Sequence, residues 1–256
     1  MSRSPYMSTE YVRSLDPKKV IILDTETTGL KPQGNEILSL SIINLEGTVL
    51  FDELVKPEKR KRWPKATEVN GITPQMVADK KTLKEHAERL REIWAEIDLV
   101  VGYNVGFDTD FIYEAGLLLG RFVPEYDVMR EFAPIWGKWD DRREEFRWAK
   151  LSQCASYYGI KDFDAHTSLG DAEATRQCFI ALLEDKHQRS IKHEKESMER
   201  DKEEVRRLTE KHQKEMQATR VANNSVLLFL LLLIVVSAIA LAAISSCVSP
   251  IVGLFK

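Results

Sequence analysis

The chain reads as an α/β protein: helices packed on a mixed sheet, then a long charged helix, then one apolar helix of membrane-spanning length. Three observations predict this. An apolar run, Val20–Leu23, leads straight into Asp24-Thr25-Glu26 and a Gly-containing turn. Two further β-rich runs follow, and after them helical-period segments alternate with short buried strands. The last quarter switches from dense alternating charge to an uncharged apolar stretch.

The first element, Val20–Leu30 (VIILDTETTGL), has the apolar, β-branched character of a buried strand bounded by a turn. Side chains alternate along a strand, so Asp24 and Glu26 project to one side. Two adjacent carboxylates repel each other, and a hard divalent cation is the simplest thing that holds them together. A solvated strand end carrying two ordinary acids is the alternative.

Glu36–Asn44 and Thr48–Lys56 are predicted to pair as a hairpin through Leu45-Glu46-Gly47. The basic loop PEKRKRWPK (57–65) reads as a solvated connection or as a contact to a phosphate backbone. In EVNGITP (68–74), Asn-Gly marks a turn and Thr73-Pro74 is expected to start a helix. Leu83, Ala87, Leu90, Ile93, Trp94 and Ile97 fall at helical spacing over Thr82–Ile97. Asp98–Gly102 follows as a short strand and Val105–Leu119 as an amphipathic helix.

Pro124–Ala149 is less regular. It reads as a helical lid on the core, or as a base-stacking surface, since Trp136, Trp139 and Trp148 interleave with Arg142, Arg143 and Arg147. Leu151–Tyr158, with Gly159 as its cap, and Leu169–Glu184 complete the helices. The domain boundaries drawn from these shifts are a flexible lead-in over 1–17, a globular domain over 18–184, a charged stalk over 185–224, an apolar span over 225–248 and a short tail.

The stalk carries many opposite charges at i,i+4, as a single exposed helix would. Ile191, Met198 and Val205 recur every seven residues, a thin heptad that allows weak self-association. Val226–Val248 is apolar throughout and matches the length of a bilayer-crossing helix. Lys211, Lys214 and Arg220 precede it and only Lys256 follows, so the positive-inside rule expects a single-pass, C-terminally anchored protein with its main domain cytoplasmic. A formal charge of −3 over 256 residues gives no global field for nucleic acid, so polyanion binding falls to local patches or metal ions. Three scattered cysteines suit a reducing compartment.

Three motifs carry the chemistry: DTETTGL (24–30), NVGFD (104–108) and HTSLGDA (166–172). Each has a bland reading. The dipole of a first helical turn favours any acid at Asp108, and Ser168-x-x-Asp171 has capping-box spacing. Together, in this order, they resemble the DEDDh branch of the DnaQ-like 3′–5′ exonucleases. VNGIT (69–73), where that family often has His in place of Asn70, and KLSQCASYYGI (150–160) support the likeness. The sister DEDDy branch would place Tyr where Thr167 stands.

The resemblance implies a ribonuclease H-like fold with a five-stranded mixed sheet. It implies two Mg²⁺ or Mn²⁺ ions held by Asp24, Glu26, Asp108 and Asp171, with His166 as the base. It further implies substrate contacts at Thr27, Thr28, Leu30, Phe107 and Asn104. The function expected is hydrolysis at 3′ ends of single-stranded DNA or RNA, releasing nucleoside 5′-monophosphates. Four carboxylates in one cleft call for cations, and imidazole ordinarily titrates near neutrality, as a base for water must. The alternative is a non-cutting module that holds nucleic-acid ends or a protein partner at a membrane.

Overall fold

The computed structural model describes residues 7–117, 122–161 and 163–252, in two compact units, Met1–Ser190 and Ile191–Lys256. In the first unit the strands are β1 (Val20–Thr27), β2 (Ile37–Asn44), β3 (Val49–Leu54), β4 (Leu99–Gly102) and β5 (Glu125–Asp127). They form one sheet of order β3-β2-β1-β4-β5. β1 pairs antiparallel with β2, and β2 with β3, while β4 runs parallel to both β1 and β5. This is the mixed five-stranded sheet that the resemblance implies.

The helices are α1 (Thr9–Ser14), α2 (Pro64–Asn70), α3 (Ala87–Glu96), α4 (Val105–Glu114), α5 (Val128–Trp136), α6 (Leu151–Tyr157) and α7 (Ser168–Val252). They cover both faces of the sheet. Ile21 and Leu23 of β1 pack in one core with Leu90 and Trp94 of α3 and Phe111 of α4. Val20 and Ile22 point the other way, into a core with Phe132 of α5, Cys154 of α6 and Phe179 of α7. β1 is thus buried on both faces, which is why it reads as a continuous apolar run until Asp24.

Several local expectations are corrected. No helix starts at Thr73-Pro74. Residues 74–79 are successive turns, with bonds such as Met76 N–H to the Thr73 carbonyl. The helix lies earlier, as α2, where Pro64 takes a first-turn position and Gly71, at φ 70°, closes the end in the left-handed region. The charge run before it hid this start. Trp63 is buried and its Nε1–H donates to the Ile72 carbonyl at 2.8 Å, fixing α2 over a small cluster with Leu38 and Val77.

Of the helical lid expected over 124–149, α5 packs on the core through Val128 and Phe132, but it is preceded by the strand β5 and followed by a small hairpin of β6 (Trp139–Asp140) and β7 (Glu145–Phe146). Thr82 and Glu85 form a capping box that opens with a 3₁₀ turn before α3. Helix α4 stops at Glu114, and residues 118 and 119 of its expected span lie outside the described residues. Within the segment read as a lead-in, α1 is capped by the Ser8 hydroxyl and buries Val12.

In the second unit the helix continues through residues whose charges pair at i,i+3 and i,i+4, among them Arg206–Glu210 and Lys211–Glu215. From Leu227 to Val236 the apolar side chains lie outside any protein core. By length and composition this helix is able to cross a membrane.

Candidate active site

The site forms where β1 outruns β4. The parallel pair registers Val20 with Leu99 through Ile22 with Val101, and the chain leaves β4 at Gly102. A Cβ at Gly102 would stand 2.9 Å from Val105 Cβ, so only glycine lets α4 begin this close to the strand end. Asn104, in the left-handed region at φ 68°, makes the turn, and its N–H donates to Asp127 Oδ1 at 3.0 Å. One helical turn later Asp108 arrives beside β1, where its Oδ1 accepts from the Thr25 N–H at 2.9 Å and the Thr25 hydroxyl at 2.7 Å.

Asp24 and Glu26 alternate with buried Thr25 and Thr27 and share one face, as strand geometry requires. That face meets the first turn of α7. Ligand oxygens of Asp24, Glu26 and Asp171 all lie within 4.8 Å of one another. Asp171 is not the acid of a capping box. The Ser168 hydroxyl is buried against Ser39 (2.6 Å) and Ser41 (2.7 Å) of β2, and Thr167 caps the helix by accepting from Gly170 N–H. Those serine bonds pin α7 to the sheet and so set the height of Asp171.

His166 precedes the helix in the left-handed region at φ 68°, with its N–H donating to Asp171 Oδ2 at 3.3 Å. A Cβ at Gly170 would fall 2.0 Å from the Asp164 carbonyl oxygen. The glycine therefore allows the 164–167 turn to fold back onto α7 and carry His166 to the acids.

Every acid of the set is driven toward its protonated form. Burial, then the charges of Asp108, Asp171 and Glu26, holds Asp24 well above the usual carboxylate range. Burial pushes Glu26 up to about 7 against the opposing hydrogen bond from Asn70. It raises Asp108 to about 7 against the two Thr25 bonds, and raises Asp171 against the His166 N–H and the imidazole charge. An all-oxygen donor set whose charges have no sufficient internal compensation fits a hard divalent cation.

Beside the acids lies a cleft of about 490 Å³ lined by Thr27, Thr28, Leu30, Phe107 and, from α2, Lys65, Val69 and Asn70. Four of the five predicted substrate contacts gather there; Asn104, whose backbone makes the turn into α4, is not among the residues that line it. Leu30 and Val69 are exposed at its rim. Asn70 was not among the predicted site residues. Its Oδ1 accepts from Ile72 N–H at 3.1 Å, which turns Nδ2 toward the Thr27 carbonyl and the Glu26 carboxylate. The signal was present in the Asn-Gly turn of VNGIT, but its approach to β1 depends on the packing of α2.

Residues 21–179 match the family RNase T, described as exonuclease. This chain belongs to that exonuclease family. Among curated proteins it is similar to a DNA polymerase III subunit epsilon-like protein of Rhodobacter capsulatus. The two are 33% identical over 178 residues, 66% of this chain and 24% of that protein. A PolC-type DNA polymerase III of Thermotoga maritima is 29% identical over 167 residues, 64% of this chain and 12% of the polymerase. The chain thus spans a quarter or less of the length of these relatives. Exonuclease I of E. coli, solved with an oligonucleotide, shares the fold at a TM-score of 0.53 and 20% identity, covering 68% of this chain and 42% of the enzyme.

Proposed function

We propose that this exonuclease domain is a metal-dependent 3′–5′ enzyme. It hydrolyses the phosphodiester at the 3′ end of single-stranded DNA or RNA and releases nucleoside 5′-monophosphates. The observation that carries this reading is the convergence of Asp24, Glu26 and Asp171 within 4.8 Å, with Asp108 alongside. These four carboxylates would hold two Mg²⁺ or Mn²⁺ ions. Such a pair, when bound, activates water and neutralises charge building on the phosphate.

The chain's own residues do the rest. Thr25 fixes Asp108, and Asn70 fixes Glu26. His166, at the mouth of the acidic cluster, accepts the proton of the attacking water. Thr27, Thr28, Leu30 and Phe107 seat the terminal nucleotide in the cleft. The apolar part of the C-terminal helix anchors the protein in a membrane, with the exonuclease domain on the cytoplasmic side.

The test uses the full chain in non-ionic detergent with 5′-labelled oligonucleotides and Mn²⁺. A ladder shortening from the 3′ end, with 5′-monophosphate product, is expected. Asp24→Asn should lower the rate by roughly 10³-fold or more. Activity that survives this change, or products carrying 3′-phosphate, would overturn the proposal.

A further inference from the structure

The basic loop at 57–65 is the feature that the proposed chemistry leaves unused, and its architecture is specific. Glu36 lies between the active-site turn and this loop. Its backbone carbonyl accepts from Thr28 N–H at 2.8 Å and its N–H donates to the Thr28 hydroxyl at 2.9 Å. Its carboxylate reaches the other way. Oε1 accepts from Glu58 N–H at 2.7 Å, and Oε2 accepts from Lys59 N–H at 2.9 Å and Arg60 N–H at 2.7 Å. Arg60 Nε donates to the Gly34 carbonyl at 2.6 Å. A charged acceptor with three backbone donors makes a strong and geometrically defined clamp. The loop is therefore held in fixed relation to Thr28, two residues from Glu26.

The side chains this clamp presents are Lys59, Arg60, Lys61, Arg62 and, at the far end, Lys65, all exposed. The loop's single acid, Glu58, is paired with Lys84 at 2.9 Å. The stretch stays net positive, in a chain whose overall charge is −3. Lys65 itself lines the cleft with Leu30 and Phe107. Along the backbone, the cations thus run as a track from Lys65 at the cleft, the proposed seat of the terminal nucleotide, back to Lys59 and Arg60 at the Glu36 clamp.

We infer that this track binds the phosphates of the substrate strand upstream of its 3′ end. It gives the enzyme an affinity for strands longer than a dinucleotide. The inference rests on the exonuclease reading of the cleft. Continuity with the cleft and opposite charge single out a polyanionic strand as the occupant.

The experiment measures KM for a twenty-nucleotide strand and for a dinucleotide at several salt concentrations, using the full chain in non-ionic detergent. The triple variant Lys59→Gln, Lys61→Gln, Arg62→Gln leaves the Arg60 anchor and Lys65 in place. Its KM for the long strand should rise about tenfold, and its slope of log KM against log salt should flatten by about 2. A control with the same loss of charge on the stalk, Lys195→Gln, Lys202→Gln, Lys211→Gln, should keep the wild-type slope. A loop variant that melts like wild type and keeps its slope overturns the inference. A rise in KM that is equal for the twenty-nucleotide strand and the dinucleotide also overturns it, because a track upstream of the 3′ end touches only the longer strand. Failure of wild-type protein to cut any nucleic acid would instead sink the exonuclease reading.

Discussion

The carboxylate of Asp108 accepts both the backbone N–H and the hydroxyl of Thr25, at 2.9 and 2.7 Å, across 83 residues of sequence. Two elements are fixed by this pair. Beyond Ile22 the strand has lost β4 as a neighbour, and the side chain from α4 supplies the missing acceptor. In return, a buried acid is held beside Asp24 although repulsion opposes the approach. The same bonds that close the fold also set the spacing of the acids.

Thr25→Val keeps the shape of the side chain but removes the hydroxyl donor. A hydrogen bond to a buried carboxyl is worth about 1 kcal/mol, so the melting temperature should fall by about 3 °C. The Mn²⁺ concentration for half-maximal rate should rise, because Asp108 loses one of its two tethers. Thermal melts and metal titration of the rate measure the two effects. An unchanged metal requirement would mean that the backbone N–H alone positions the acid.

Stability and metal binding should depend on pH in opposite senses. Free carboxyls titrate near 4, whereas Glu26 and Asp108 are raised to about 7, and Asp24 and Asp171 are also raised. Between those values the native state keeps protons that the unfolded chain has released. Metal-free stability should therefore fall as pH rises from about 4 to about 7. A divalent cation of the kind proposed would bind the deprotonated set, so the stabilisation it adds should grow over the same window. Melting curves in EDTA and in Mn²⁺ should diverge as pH rises; curves that stay parallel would contradict this linkage.

Much of the fold was legible because its signals are periodic. β1, β2 and β4 are apolar runs, α3 carries its apolar residues at helical spacing, and Asp24 and Glu26 share a face by strand alternation alone. The three-residue strand β5 was not legible, since its strand character comes from pairing with β4. Nor was the role of Glu36, whose partners lie 22 to 24 residues away and are backbone groups that any sequence would offer. Ser168 and Asp171 fit a capping box by spacing, and it takes the contact of Ser168 with β2, the cap from Thr167 and the approach of Asp171 to Asp24 and Glu26 to set that reading aside.

His166→Asn should separate proton transfer from metal binding. Asparagine tolerates the left-handed backbone that His166 adopts, so the turn and the N–H to Asp171 should persist. Turnover should fall by about 10² to 10⁴-fold. The rise in melting temperature on adding Mn²⁺ should stay within a degree or so of wild type. Loss of that rise would make the imidazole a ligand rather than a base.

Gly170→Ala tests the turn that carries the imidazole. The new methyl would meet the Asp164 carbonyl oxygen at 2.0 Å, a backbone atom that cannot swing aside as a side chain does. The 164–167 turn must shift, and His166 with it. A displacement of about 1 Å can cost a hundredfold in rate. The expected outcome is a loss of turnover of that order, with the Ser168 contacts to Ser39 and Ser41 keeping most of the stability. A variant with wild-type turnover would show that the tight turn does not position the base.

Removing 225–256 should move the protein from the membrane fraction to the soluble fraction. From Leu227 to Val236 the helix offers apolar side chains to its surroundings and no protein core covers them. In water each such side chain is costly to expose, whereas in a bilayer the same stretch is satisfied and its backbone bonds are internal. Every residue of the acidic cluster lies between Asp24 and Asp171, so turnover on short oligonucleotides should be kept. Fractionation of cells expressing the two forms, followed by assay of each fraction, measures both. Membrane retention of the shortened form would place the anchor elsewhere in the chain, and loss of turnover would tie the long helix to the site itself.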